Sequence, residues 1–177
     1  MKVKGGMNFK GHRVLHLRDL TPDHVDHLER ELLRHKPTVL LINSGGGDIL
    51  LGHRLCAAIS NHRKVIAIVT GVCSSMALPV LLSCSERYVL RGARFHLHSV
   101  SCKKKIKYLD FERKRRAARK RRMWLAQQKA FENSIAQKTS LSPKKVRRYC
   151  RRRKALSAKK ALACGIIDAI CGLVLSI

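Results

Sequence analysis

Two short apolar runs constrain this chain more than any other feature. Thr38-Val39-Leu40-Leu41-Ile42 and the run from Val65 to Val69 are almost wholly apolar, with no alternation of polar residues. That is the pattern of strands covered on both faces. A small-residue loop follows each run, Asn43 to Asp48 and Gly71 to Ser75, and then an apolar helical segment, Ile49 to Asn61 and Met76 to Ser83. Strand, loop and helix, repeated, predict an α/β fold with a mostly parallel sheet and helices on its faces. Both loops then fall at the carboxyl ends of strands, where parallel sheets place their chemistry.

The flanking elements are legible in the same way. Arg13 to Leu17 alternates as a strand does. Thr21-Pro22 predicts a helix start, with the Thr21 hydroxyl as cap and proline in the first turn. Val25, Leu28 and Leu32 make its apolar stripe, and Pro37 bounds it. Tyr88 to Leu90 and Arg94 to His98 read as short strands. Ile106 to Lys138 lacks glycine and proline and predicts one long helix. Ser142-Pro143 and Leu156-Ser157-Ala158 open two further helices, Gly165 closes the second, and Ile166 to Ile170 reads as a last strand. With 177 residues, residues 1–177 suit a single domain, of which about 1–12 form an N-terminal extension.

Seven cysteines, an odd number with no CxxC pair, argue against a zinc site or a disulfide framework and for a reducing, cytoplasmic setting. Neither a metal nor a cofactor is expected. The stretch from Cys164 to Ile177 is too short and too interrupted to cross a bilayer, and residues 1–10 lack a leader's apolar region, so no membrane association is expected.

Three glycines after a buried strand, Gly45-Gly46-Gly47, let the backbone approach a ligand closely and present N–H groups to an oxyanion or phosphate. Neither a P-loop nor a G-x-G-x-x-G loop is present. Taken alone, the glycines make a tight turn more readily than a site. Ser75 stands where a small-residue turn meets a helix, a place where N–H groups stabilise negative charge; Ser74 beside it would serve as the cap. A serine needs a base within reach to become a nucleophile. His96 and His98 share one face of their segment and compete for that role.

Together these segments resemble the Clp-protease family and the ClpP/crotonase-like fold, built of repeated β-β-α units with a long handle helix. Ile42-Asn43-Ser44-Gly45-Gly46-Gly47 resembles the family's I-N-S-P-G-G, with Gly45 for proline. Val72-Cys73-Ser74-Ser75-Met76-Ala77 resembles its nucleophile motif, and Phe95-His96-Leu97-His98 the strand that ends in its catalytic histidine. Ala155-Leu156-Ser157-Ala158, Ala161 and Gly165-Ile166-Ile167-Asp168 resemble its F-L-S-A…A…G-L-V-D ending. By that resemblance Ser75 is the nucleophile, His98 the base, and Gly47 and Met76 give oxyanion-hole N–H groups. The implied reaction is peptide-bond hydrolysis through an acyl-enzyme. The implied assembly is a homo-oligomeric ring acting on polypeptides, served by an AAA+ unfoldase.

Three departures stand out. The family's catalytic aspartate aligns with Arg153, so the acid comes from elsewhere (Asp110 and Asp168 are near in sequence), or a Ser–His dyad works slowly, or the protein is inactive. Ser99-Val100 follows the histidine where the family has Gln-Pro or Asn-Pro. The N-terminus is short, which implies reduced axial loops. Charge departs as well: the net charge is +27. The handle region, about 103–140, is basic: residues 103–122 hold 12 Lys/Arg, and 144–160 hold ten with no acid, which points to nucleic acid or another polyanion as partner. The alternative function is therefore a catalytically impaired Clp-fold structural or nucleic-acid-associated subunit. A crotonase-type acyl-CoA enzyme is the third reading.

Overall fold

In the computed structural model the structure describes residues 2–3, 7–99, 111–153 and 155–172, with side chains from residue 9 onward except 111–117. The elements in order are β1 (Lys2–Val3), β2 (Met7–Asn8), β3 (Arg13–Leu17), α1 (Pro22–Leu32), β4 (Thr38–Ser44), α2 (Ile49–Ser60), β5 (Val65–Ser74), α3 (Ala77–Ser83), β6 (Glu86–Leu90) and β7 (Arg94–His96). Then come α4 (Phe111–Gln137), α5 (Pro143–Arg152), β8 (Leu156–Ser157), α6 (Ala158–Ala163) and β9 (Ala169–Cys171). The main sheet runs β3-β4-β5-β6-β9, with β7 paired to β5 and β8 to β7. Every pairing in it is parallel except β7 with β8. The mixed α/β architecture expected from the two apolar runs is the one present.

Alternation explains why those runs are apolar throughout. Leu40, Ile42, Val65, Ala67 and Val69 face the main core with the helices, while Val39, Ile66 and Ile68 join Phe9 and Cys171 in a second core on the opposite side of the sheet. Both faces are thus dry, and each fully buried Leu or Ile contributes about 1.5–3 kcal/mol. Phe9 shows that residues just before β3 cover this second face.

Several local expectations change. Of the expected turn at 71–75 only Ser75 is one: β5 runs on to Ser74, because Val72, Cys73 and Ser74 pair with Arg94, Phe95 and His96 of β7 after its first half has paired with β6. The strand after Ala93 stops at His96, since its partner ends at Ser74. Thr21 is extended but its hydroxyl makes no capping hydrogen bond. Residues 166–168 are a turn, with the Ile166 N–H donating to Ala161 O and the Asp168 N–H to Arg87 O. Ser142 and Ser157 do cap α5 and α6, and Gly165 has the left-handed φ of +70° that ends α6. The long helix begins at Phe111; residues 106–110 of the expected span lie outside the described residues. None of the helices among the described residues is long and apolar enough to cross a membrane.

Candidate active site

Strand register brings the serine and the histidine together. Ser74 is opposite His96 across the parallel β5–β7 pair, so one residue beyond on β5 and two beyond on β7 emerge at the same edge. The backbone closes this join: the Ser75 N–H donates to His96 O at 3.0 Å and the Ser74 hydroxyl donates to the same oxygen at 3.3 Å. Ser74 therefore does not cap α3. The chain then reverses sharply, with Ser75 at φ +53° and Met76 back in right-handed helical space at the start of α3. A Cβ in left-handed space is strained, by about 1–2 kcal/mol. Strain of this kind in a cleft residue is a mark of function.

Ser75 and His98 line one cavity of about 520 Å³, together with Gly47, Asp48, Met76 and residues of α2, α3 and α4. His96 does not line it, and its role in the structure is carried by its carbonyl. Two residues of one segment thus part ways, because His98 lies past the strand end. Its Nδ1 sits 2.9 Å from Ser99 O. A carbonyl only accepts, so this hydrogen bond requires the proton on Nδ1 and leaves the Nε2 lone pair open.

The glycine loop is pressed against this turn. Gly46 has φ +97°; a Cβ there would stand 2.7 Å from Ser74 O and from Ser75 Cβ, and 3.0 Å from Met76 N. Its N–H donates to Ser44 Oγ at 3.0 Å, and its carbonyl accepts from the Leu20 N–H at 2.9 Å. Asp48 is spent on α2, its carboxylate accepting from the Leu50 and Leu51 N–H groups. The N–H groups of Gly47 and Met76 have no hydrogen-bond acceptor among the described residues.

The acid position holds no acid. Arg153 is the exposed left-handed cap of α5 and does not line the cavity. Asp168 is committed elsewhere: it accepts from the Arg87 main-chain N–H at 2.8 Å and from its guanidinium at 2.6 Å, joining β6 to the turn before β9. It is not a replacement acid. Asp110 lies outside the described residues.

Sequence reading missed the far wall. Gln127, Phe131 and Ser134 of α4 face the cavity, as do His53 and Pro79. Their i, i+4, i+7 spacing was the available signal, hidden by the helix's overwhelming charge. Cys73 and Cys84 are deeply buried thiols whose pKa is pushed far up by burial, and Cys150 rises to about 11 for the same reason. They are inert core residues, and no cluster able to hold a metal occurs among the described residues.

The Clp protease family model matches residues 27–173, which carry the whole of this site; the chain belongs to that family. Among solved structures, a point mutant of ClpP1 from Listeria monocytogenes superposes with a TM-score of 0.78, covering 91% of this chain and 92% of that one. Sequence identity is 18%, so the likeness speaks for the fold. No curated protein matches the sequence.

Proposed function

We propose that the protein is a Clp-like serine endopeptidase working with a Ser75–His98 dyad. The observation that supports this reading best is the strained Ser75 turn, which shares a cavity with an imidazole whose Nδ1 is tied to a main-chain carbonyl. In the proposed reaction His98 Nε2 takes the Ser75 Oγ proton as Oγ attacks the scissile carbonyl carbon. The oxygen of the tetrahedral adduct, now negative, is held by the Gly47 and Met76 N–H groups. The C–N bond breaks as His98 returns its proton to the leaving amine. Water then attacks the acyl-enzyme with His98 again as base.

Membership of the family supports a polypeptide substrate and a homo-oligomeric ring as the working form; an AAA+ unfoldase feeding that ring is part of the proposal. The free thiols among the described cysteines fit a reducing, cytoplasmic setting. The test is covalent labelling of the full chain by a fluorophosphonate, read by mass, beside Ser75→Ala and His98→Ala. Modification at Ser75 that requires His98 is the expected result. No modification of Ser75 at any pH between about 6 and 9 would instead leave the impaired structural subunit as the reading.

A further inference from the structure

Charge in this molecule is sorted in an unusual way. In the body of the fold several cations have acid partners: Arg13 pairs with Glu31, Arg54 with Asp26 and Glu29, Lys64 with Glu86, and Arg87 with Asp168. In α5 they are not. This ten-residue helix carries Lys144, Lys145, Arg147, Arg148, Arg151 and Arg152 and no acid. Val146 and Cys150 anchor its inner face in the core, so every cation is turned outward and exposed. One of them is structural: Arg147 grips Glu132 of α4, with Nε at 2.9 Å and Nη2 at 2.8 Å from the same carboxylate oxygen. Glu132 is 1% exposed, so it needs that partner. The other five make no ion pair among the described residues. With Ser142, all but Arg152 line an open cavity of about 550 Å³.

Such a face opposes the helix it sits on. Lysines in the first turn oppose the helix dipole, and like charges three and four apart, such as Lys144 with Arg148 and Arg147 with Arg151, repel. A dense external anion relieves both. With a rise of about 1.5 Å per residue, five unpaired cations over ten residues are about one charge per 3 Å. Duplex nucleic acid offers one negative charge per about 1.7 Å of axis. An extended polypeptide reaches about one per 3.4 Å only if every residue is acidic. Arginine forks also match phosphate oxygens in pairs. Tyr149, the aromatic residue of α5, packs against the core, so the face offers no platform for stacking an unpaired base.

We propose that the outer face of α5 binds the phosphate backbone of duplex nucleic acid, without reading its sequence. The test is fluorescence anisotropy of the full chain with a labelled mixed-sequence duplex between 50 and 200 mM KCl. The probe is used beside a triple variant, Lys145→Gln, Arg148→Gln and Arg151→Gln, and beside polyglutamate as competitor. Arg147 is left intact to spare Glu132, and circular dichroism checks the fold of the variant. At about −0.9 in log–log slope per phosphate contact, five contacts give a slope near −4.5 and about a 500-fold loss of affinity across that range. The triple variant is expected to lower the slope by about 3 on every duplex sequence tried. Absence of binding at 50 mM, an unchanged slope in the variant, or displacement by polyglutamate at equal charge concentration would overturn the proposal, the last in favour of an acidic protein.

Discussion

Replacing Gly46 by alanine isolates how closely the glycine loop holds the serine turn. Two effects add. The new Cβ would sit at φ +97°, where a side chain costs roughly 1–2 kcal/mol. It would also lie 2.7 Å from Ser74 O and from Ser75 Cβ. Backbone at that distance cannot swing aside as a flexible side chain would, and overpacking of this kind costs about 1–3 kcal/mol. The sum, about 2–5 kcal/mol, is a large share of the 5–15 kcal/mol typical of a domain. Gly92 supplies the control: its φ is +89°, and an added Cβ would have nothing within 4 Å. Gly92→Ala should therefore show the conformational part alone. With a urea dependence near 2 kcal/mol/M, Gly46→Ala should unfold about 0.5–1.5 M below Gly92→Ala. Whatever Gly46→Ala keeps of its fold must shift Ser75 or Met76. A displacement near 1 Å at a reacting group lowers rate by about a hundredfold, so fluorophosphonate labelling should fall with it. Equal urea midpoints for the two variants would refute the close packing of loop on turn. A destabilised Gly46→Ala that still labels at the wild-type rate would refute the link from that packing to reactivity.

Three further outcomes are expected. Ser75→Gly should be more stable than Ser75→Ala by about 0.5–1 kcal/mol, since glycine relieves the left-handed strain but loses more chain entropy; a thermal melt showing alanine the more stable would contradict the strain. Arg153→Gly should raise the melting temperature for the same reason, its φ being +50°, and should leave Ser75 labelling unaltered because Arg153 does not line the cavity; a changed labelling rate would place it nearer than that. His62 has a pKa held below its ordinary value, first by burial and then by His35, with Arg13 adding to the effect. A lowered folded pKa means that the unfolded chain takes up the proton first, so this stability is present above about pH 6.5 and is lost as pH falls below it. His62→Gln should flatten the drop in melting temperature between pH 7.5 and 5.5, and an equally steep drop in the variant would remove His62 as a cause.

Elements and order were readable because they rest on periodicity. The two apolar runs, the helix starts at Ser142-Pro143 and Leu156-Ser157-Ala158, and the glycine at 165 each act locally, and the structure keeps all of them. Where the reading failed, the cause was a partner distant in sequence. Residues 71–74 look like a turn for their glycine and small side chains, and they become strand because β7 hydrogen-bonds to them. Asp168 looks available until Arg87, 81 residues away, claims both of its oxygens. The positions of Ser75 and His98 at one cavity were legible only through motif resemblance; register across β5 and β7 is what puts them there. The bond from His98 to Ser99 O was not legible at all, since a main-chain acceptor leaves no trace in side-chain identity.

That bond sets what the proposed dyad should do well and badly. A carboxylate behind a catalytic histidine fixes the tautomer, orients the ring and stabilises the imidazolium. The Ser99 carbonyl accepts from Nδ1 and so performs the first two as a carboxylate would. It performs the third only weakly, having a dipole and no charge. An activated ester needs the imidazolium briefly, during attack, because its leaving group departs unprotonated. An amide needs it to persist until the amine takes the proton. The deficit should therefore fall mainly on amides. In the proposed mechanism kcat/KM for a p-nitrophenyl ester should exceed that for a matched peptide anilide by a far wider margin than in a protease with a full triad, and His98→Ala should abolish both. An ester-to-amide ratio equal to that of a complete triad protease would mean that a carboxylate reaches His98 after all, and that the carbonyl is not its sole support.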